Sequence, residues 1–86
     1  MYYIVVYDVG EKRVAKVLST LRRYLHWVQN SVHEGELTEK KFEEMQTNVA
    51  DLLVLEEDHI IIYGLTQKWL RRSEIGCSKN TTDTFL

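Results

Sequence analysis

A single cysteine, Cys77, excludes an internal disulfide and fits a reducing cytoplasm. Long apolar runs are missing as well. The longest, Tyr2 to Tyr7, falls far short of the roughly 20 residues a membrane-spanning helix needs, and with the strand following Met1 at once no basic-then-apolar signal peptide is expected. Repeats, linkers and low-complexity stretches are absent. So are a Gly-rich phosphate loop, a Cys/His cluster with metal-ligand spacing and a Ser-His-Asp order. These absences exclude the disulfide-stapled, membrane-spanning and common motif-bearing classes. They leave the expectation of one small soluble cytoplasmic domain. At 86 residues such a domain buries only about 60–65% of its unfolded surface, which makes a partner subunit an early expectation.

Net charge is small, −2, but it is segregated along the chain. Residues 10–31 carry Lys12, Arg13, Lys16, Arg22 and Arg23 against Glu11 alone. Residues 33–58 are dominated by carboxylates, with only Lys40 and Lys41 opposing them, and from residue 67 onward Lys68, Arg71, Arg72 and Lys79 outweigh Glu74 and Asp83. A surface divided in this way can hold a polyanion on one side and repel it on the other.

Hydrophobic periodicity supplies the architecture. Tyr2-Tyr3-Ile4-Val5-Val6-Tyr7 is β-branched and aromatic throughout and predicts a strand that is apolar on both faces. Val14, Val17, Leu18, Leu21 and Leu25 recur at steps of three and four, predicting an amphipathic helix over about residues 11–25. The segment from Trp27 to Leu37 alternates like one strand ending at Glu34-Gly35. Thr38 is placed to cap a second helix whose stripe is Phe42, Met45, Val49, Leu52 and Leu53. Glu56-Glu57-Asp58 reads as a solvated turn, His59 to Leu65 as a third strand, and Thr66 to Ile75 as a weaker fourth.

The order β-α-β-α-β-β predicts an α+β fold, a ferredoxin-like split βαβ sandwich with both helices on one face of an antiparallel sheet. Residues 1–76 form this domain, and 77–86, polar apart from Phe85-Leu86, form a short C-terminal tail that is mobile or docks a partner. The first and third strands leave the second sheet face apolar, so a second copy of the same sheet is the expected cover.

The residue that asks for a chemical reason is Asp8, a lone carboxylate at the lip of the first strand. Capping the following helix is one reading; metal binding is the other. His33 reads as an ordinary packed imidazole in preference to a general base, Trp69 as a packing residue, and the basic residues of the first helix as a solvated face unless a polyanion is present.

Three strings bear on the choice: Tyr7-Asp8-Val9, Gln29-Asn30-Ser31-Val32-His33-Glu34-Gly35 and Ile61-Ile62-Tyr63. With them the chain, from Tyr2 to about Gly76, resembles the small CRISPR-associated adaptation protein family, a ferredoxin-like dimer that partners the CRISPR adaptation integrase. The family usually has Phe where this chain has His33. The resemblance implies a homodimer that binds DNA or RNA in spacer acquisition. It also implies an endonuclease using Mg2+ or another divalent cation held by Asp8. Magnesium commonly takes only one or two protein carboxylates, and a two-fold axis near the strand end would bring the partner's copy of this aspartate. Lys12, Arg13, Lys16, Arg71 and Arg72 are the candidate nucleic-acid contacts. A non-catalytic DNA scaffold joining two integrase dimers is the rival reading. A toxin-like ribonuclease or a small-molecule regulatory module is a third.

Overall fold

The computed structural model describes residues 1–66 and 71–76. Its elements are β1 (Tyr2–Asp8), α1 (Glu11–Leu21), β2 (His26–Gln29), β3 (Val32–Glu36), α2 (Glu39–Ala50) and β4 (His59–Leu65). The strands form one sheet in the order β2-β3-β1-β4, and every neighbouring pair is antiparallel. This is the ferredoxin-like arrangement, in which each helix connects two strands that are not neighbours in the sheet.

The order of elements differs from the expectation. The segment 27–37 is not one strand but most of a hairpin, so the order is β-α-β-β-α-β. Gln29 and Val32 face each other across a two-residue connection in which Asn30 takes a left-handed backbone with φ 45°. Asparagine accepts that conformation more readily than most residues. No glycine marks the turn, and the alternation of Val28, Asn30 and Val32 runs straight through it. The expected fourth strand over 66–75 falls partly on residues 67–70, which lie outside the described residues, as does the 77–86 tail. Residues 71–76 carry no strand.

α1 is also shorter than its apolar stripe. After Leu21, Arg23 and Tyr24 donate their N–H groups three residues back, to Thr20 and Leu21. That tightened last turn ends the helix while still delivering Leu25 to the interior. At α2 the expected cap is present: the Thr38 hydroxyl accepts the Lys41 N–H at 3.2 Å. The expected stripe outlasts this helix too, since Leu52 and Leu53 follow its end but still pack against the core.

Both helices lie against the face of β1 that carries Tyr3, Val5 and Tyr7. These side chains join Val17, Leu21, Leu25, Leu37, Met45 and Val49 in one core, and Phe42 stacks on Tyr3 with ring centroids 4.3 Å apart. Leu21 and Met45 are fully buried, which stabilises the fold by roughly 1.5–3 kcal/mol for each such side chain. The opposite face carries Tyr2, Ile4 and Val6 of β1, with Ile61 and Tyr63 of β4 beside them at 39% and 53% exposure. An apolar second face is therefore present in the folded chain.

Candidate metal and nucleic-acid site

Asp8 ends β1, exposed to solvent. Tyr7, one residue before it, donates its N–H to the Ser31 carbonyl at 3.1 Å, so the strand remains paired up to its end. Among the described residues the Asp8 carboxylate has no hydrogen-bond or ion-pair partner. The helix that follows is capped at Gly10 without any side-chain bond from its own neighbourhood. The capping role is therefore not one that Asp8 performs.

Asp58 supplies that contact instead. The sequence placed it in a solvated turn, but its side chain is fully buried. One carboxylate oxygen accepts the Gly10 N–H at 2.8 Å, and the other accepts the Val54 N–H at 2.8 Å. Arg13 completes the set as a fork: Nε donates to Asp58 at 2.6 Å and Nη2 at 2.9 Å, with a further bond from Nη2 to Glu57 at 2.9 Å. The Arg13 fork, seconded by the two backbone donors, holds the Asp58 carboxyl far below the usual carboxylate range against the opposing effect of burial. The period of the α1 stripe could not reveal this anchor, because its two halves lie 45 residues apart in sequence.

The candidate cations divide into two groups. Lys12 and Lys16 are exposed one turn apart on α1, and Arg71 is exposed. Arg13 is committed to Asp58 and Glu57. Arg72 bonds Glu34 at 2.9 Å and Glu74 at 2.7 Å. Arg22 lies over the Trp27 ring, 5.6 Å from its centroid.

His33 is fully buried, with its ring centroid 5.7 Å from that of Tyr7. Neither ring nitrogen has a partner. Burial, with a smaller contribution from the Arg22 charge, lowers its pKa to about 4. The imidazole is neutral near pH 7 and acts as a packed aromatic, as the sequence suggested.

Among the described residues no group of three or more His, Cys, Asp or Glu is assembled for a metal ion. An open, uncommitted carboxylate nevertheless suits a hydrated divalent cation, which needs only one or two protein ligands and fills its other positions with water and phosphate. Asp8 fits that minimal site. Among the described residues no helix is long and apolar enough to cross a membrane.

A four-stranded antiparallel sheet covered on one face by two helices places the chain in the class of ferredoxin-like α+β proteins. Within it, residues 1–73 match the model of the family described as CRISPR associated protein Cas2, and the chain belongs to that family. The "CRISPR-associated endoribonuclease Cas2" of Dictyoglomus turgidum is 46% identical over 87 residues, with all of both chains covered. The protein of the same name from Thermotoga maritima is 48% identical over 80 residues, covering 92% of each. Among solved structures, "Crystal structure of cas2" superposes with a TM-score of 0.82 at 39% identity, covering 92% of this chain and 90% of that one. Streptococcus pyogenes Cas2 at pH 6.5 superposes at 0.77 with 30% identity, covering 90% and 100%. The resemblance carried by the three sequence strings therefore holds along nearly the whole chain.

Proposed function

We propose that this protein is a divalent-metal-dependent endonuclease of CRISPR adaptation, acting as a homodimer, with Asp8 as its metal-binding residue. The observation that carries the reading is the freedom of Asp8. The helix start beside it is already served by Asp58, so the carboxylate at the strand tip has no structural task among the described residues. The names of the relatives support RNA as substrate; duplex DNA is the other polymer the reading allows.

Bound at Asp8, a divalent cation would neutralise charge on the scissile phosphate and lower the pKa of a coordinated water. The chain's own residues do the rest. Asp58 and Arg13 staple the β1–α1 connection to the start of β4 and so fix where Asp8 stands. Lys12, Lys16 and Arg71 take backbone phosphates, contacts that position a polymer without reading its sequence. Arg13 acts from beneath, through Asp58, whereas Arg72 is held by Glu34 and Glu74. The apolar face of Tyr2, Ile4, Val6, Ile61 and Tyr63 supports pairing with a second copy, which would supply the second aspartate.

The lone carboxylate per chain also suits a second reading, in which the dimer is a DNA-holding scaffold between two dimers of the CRISPR adaptation integrase. Asp8→Asn separates the two. It keeps the shape and removes the charge. Cleavage of single-stranded RNA or duplex DNA in Mg2+ should fall by orders of magnitude, while folding, dimer mass and metal-free nucleic-acid affinity stay near wild type. Undiminished cleavage by this variant would rule out the metal reading. Unimpaired spacer integration without cleavage would make the scaffold the working role.

A further inference from the structure

Asp8 does not stand alone at the end of the sheet. In the β1–β4 ladder it lies directly opposite His59, the first residue of β4. Residues so paired in an antiparallel sheet put both side chains on one face, with Cβ atoms about 4.5–5.5 Å apart. The face is the one away from the helices, because Tyr7, which alternates with Asp8, is buried in the core. Asp8 and His59 are both exposed, and among the described residues neither side chain has a hydrogen-bond or ion-pair partner. They are not bonded to each other.

The residues on either side are held firmly. Asp58 immediately precedes His59, and its carboxylate accepts the N–H of Gly10, two residues beyond Asp8. One buried group thus staples together the two strand ends that carry the carboxylate and the imidazole. Ligands on elements fixed in this way meet an ion with little reorganisation.

The same sheet provides a contrast. His26 of β2 stands opposite Glu34 of β3, also a carboxylate and an imidazole across a ladder. There the carboxylate is closed by Arg72 at 2.9 Å. At the Asp8 end no such cation is seated among the described residues.

We propose that His59 is a second, nitrogen ligand for the divalent cation held by Asp8, and that it biases this site toward later first-row transition ions such as Co2+ or Ni2+ over Mg2+. The inference rests on the metal role of Asp8 proposed above. Its chemical basis is that magnesium prefers oxygen ligands and waters, whereas imidazole favours the later transition ions.

The test is titration of the full-length protein with Co2+ and, separately, with Mg2+. Heat of binding and the visible d–d absorption of Co2+ are the readouts, on wild type, Asp8→Asn, His59→Gln and, as control, His26→Gln. Circular dichroism confirms that each variant is folded. His59→Gln should lower Co2+ affinity by about tenfold or more, since even outer-sphere partners of a metal are worth that much. It should shift the d–d bands and leave Mg2+ affinity near wild type, with His26→Gln unchanged throughout. A His59→Gln protein with wild-type Co2+ affinity and spectrum, beside an Asp8→Asn protein that binds neither ion, overturns the inference and leaves the Asp8 reading standing. Equal loss of both ions in His59→Gln overturns the selectivity. If Asp8→Asn binds both ions like wild type, the inference and the reading beneath it fall together.

Discussion

Gly10 donates its N–H to Asp58, a residue 48 positions further along the chain. The start of α1 is thereby secured by a residue distant in sequence but brought alongside by the β1–β4 pairing, and among the described residues the carboxylate two residues upstream of Gly10 is left open. A buried acid joined to a half-buried guanidinium and two backbone N–H groups is hard to remove without harm, because the partners left behind are unpaired and out of water.

The anchor makes a stability prediction. Asp58→Ala should lower the thermal midpoint by at least several degrees, given how steeply a small domain's midpoint responds to lost stability. The acid dependence has a definite sign. The folded state depresses the Asp58 pKa, so the stabilisation is fully present above the ordinary carboxylate range near pH 4 and is lost as pH falls below it. Denaturant titrations from pH 5 to pH 2 should show this loss in wild type and much less of it in Asp58→Asn. Equal slopes would remove Asp58 as the cause.

Gly10 itself tests the packing of that anchor. A Cβ at this position would collide with the Arg13 guanidinium and lie 3.5 Å from the Asp58 carboxylate. Gly10→Ala should therefore push Arg13 out of its fork and destabilise the domain, although the Gly10 backbone, at φ −55°, suits alanine. In Gly10→Ala combined with Arg13→Ala, the cost of the alanine should shrink; additive losses would show that the collision is not the mechanism.

His33 should behave as a destabilised aromatic. Its pKa is lowered from 6.5 to about 4 in the fold, so the unfolded chain binds the extra proton between those values. Stability is then full above about pH 6.5 and declines as pH falls toward 4. His33→Phe should flatten that interval and raise the thermal midpoint, since two buried nitrogens without partners are removed. A pH profile unchanged by the substitution would count against the assignment.

The open sheet face predicts self-association. Ile61→Lys places a charge among Val6, Tyr63 and their neighbours, where a second sheet would have to desolvate it. Sedimentation should show about twice the monomer mass for wild type at micromolar concentration and a shift toward monomer for the variant, with circular dichroism unchanged. Wild type sedimenting as a monomer would refute the dimer.

For nucleic acid, the exposed lysines of α1 are the ones to remove. Lys12→Ala with Lys16→Ala should weaken binding to many sequences alike and reduce the salt slope by about 2 for each subunit that engages the polymer, one for each phosphate that no longer meets a lysine. The pair Lys40→Ala and Lys41→Ala, set among carboxylates, should do little. Equal losses from both pairs would mean the polymer does not follow α1.

What could be read from the residues, and what could not, follows from the range of each signal. β1, β4 and the Thr38 cap rest on patterns within a few residues, and each was legible. The β2–β3 hairpin was not, because Asn30 reverses the chain without the glycine that usually announces such a turn, and the alternation conceals it. The two-helix, one-face sandwich survived that misreading because the hairpin supplies the strand that was expected after Thr66. At the candidate site, Asp8 stood out by its position at the end of an apolar run, which is also where the structure places it. Asp58 was hidden by its company, Glu56 and Glu57, which are exposed and made it look solvated. Arg13 appeared free for phosphate because its partner lies 45 residues away. The pairing of His59 with Asp8 became visible only from the register with β1.

The central place of β1 bears on the order in which the domain can form during synthesis. Its partners are β3 and β4, and the β4 ladder joins Tyr2 to Leu65, spanning nearly all the described chain. β1 must wait for β4, the last strand among the described residues, and contacts of such separation are slow to close. Until β4 emerges from the ribosome, Tyr2 to Tyr7 remains an exposed, strongly β-prone segment, and the Arg13–Asp58 anchor cannot yet hold it. The nascent chain is thus open to mispairing until β4 docks, and variants that weaken this late docking should reduce soluble yield more than their equilibrium stability implies.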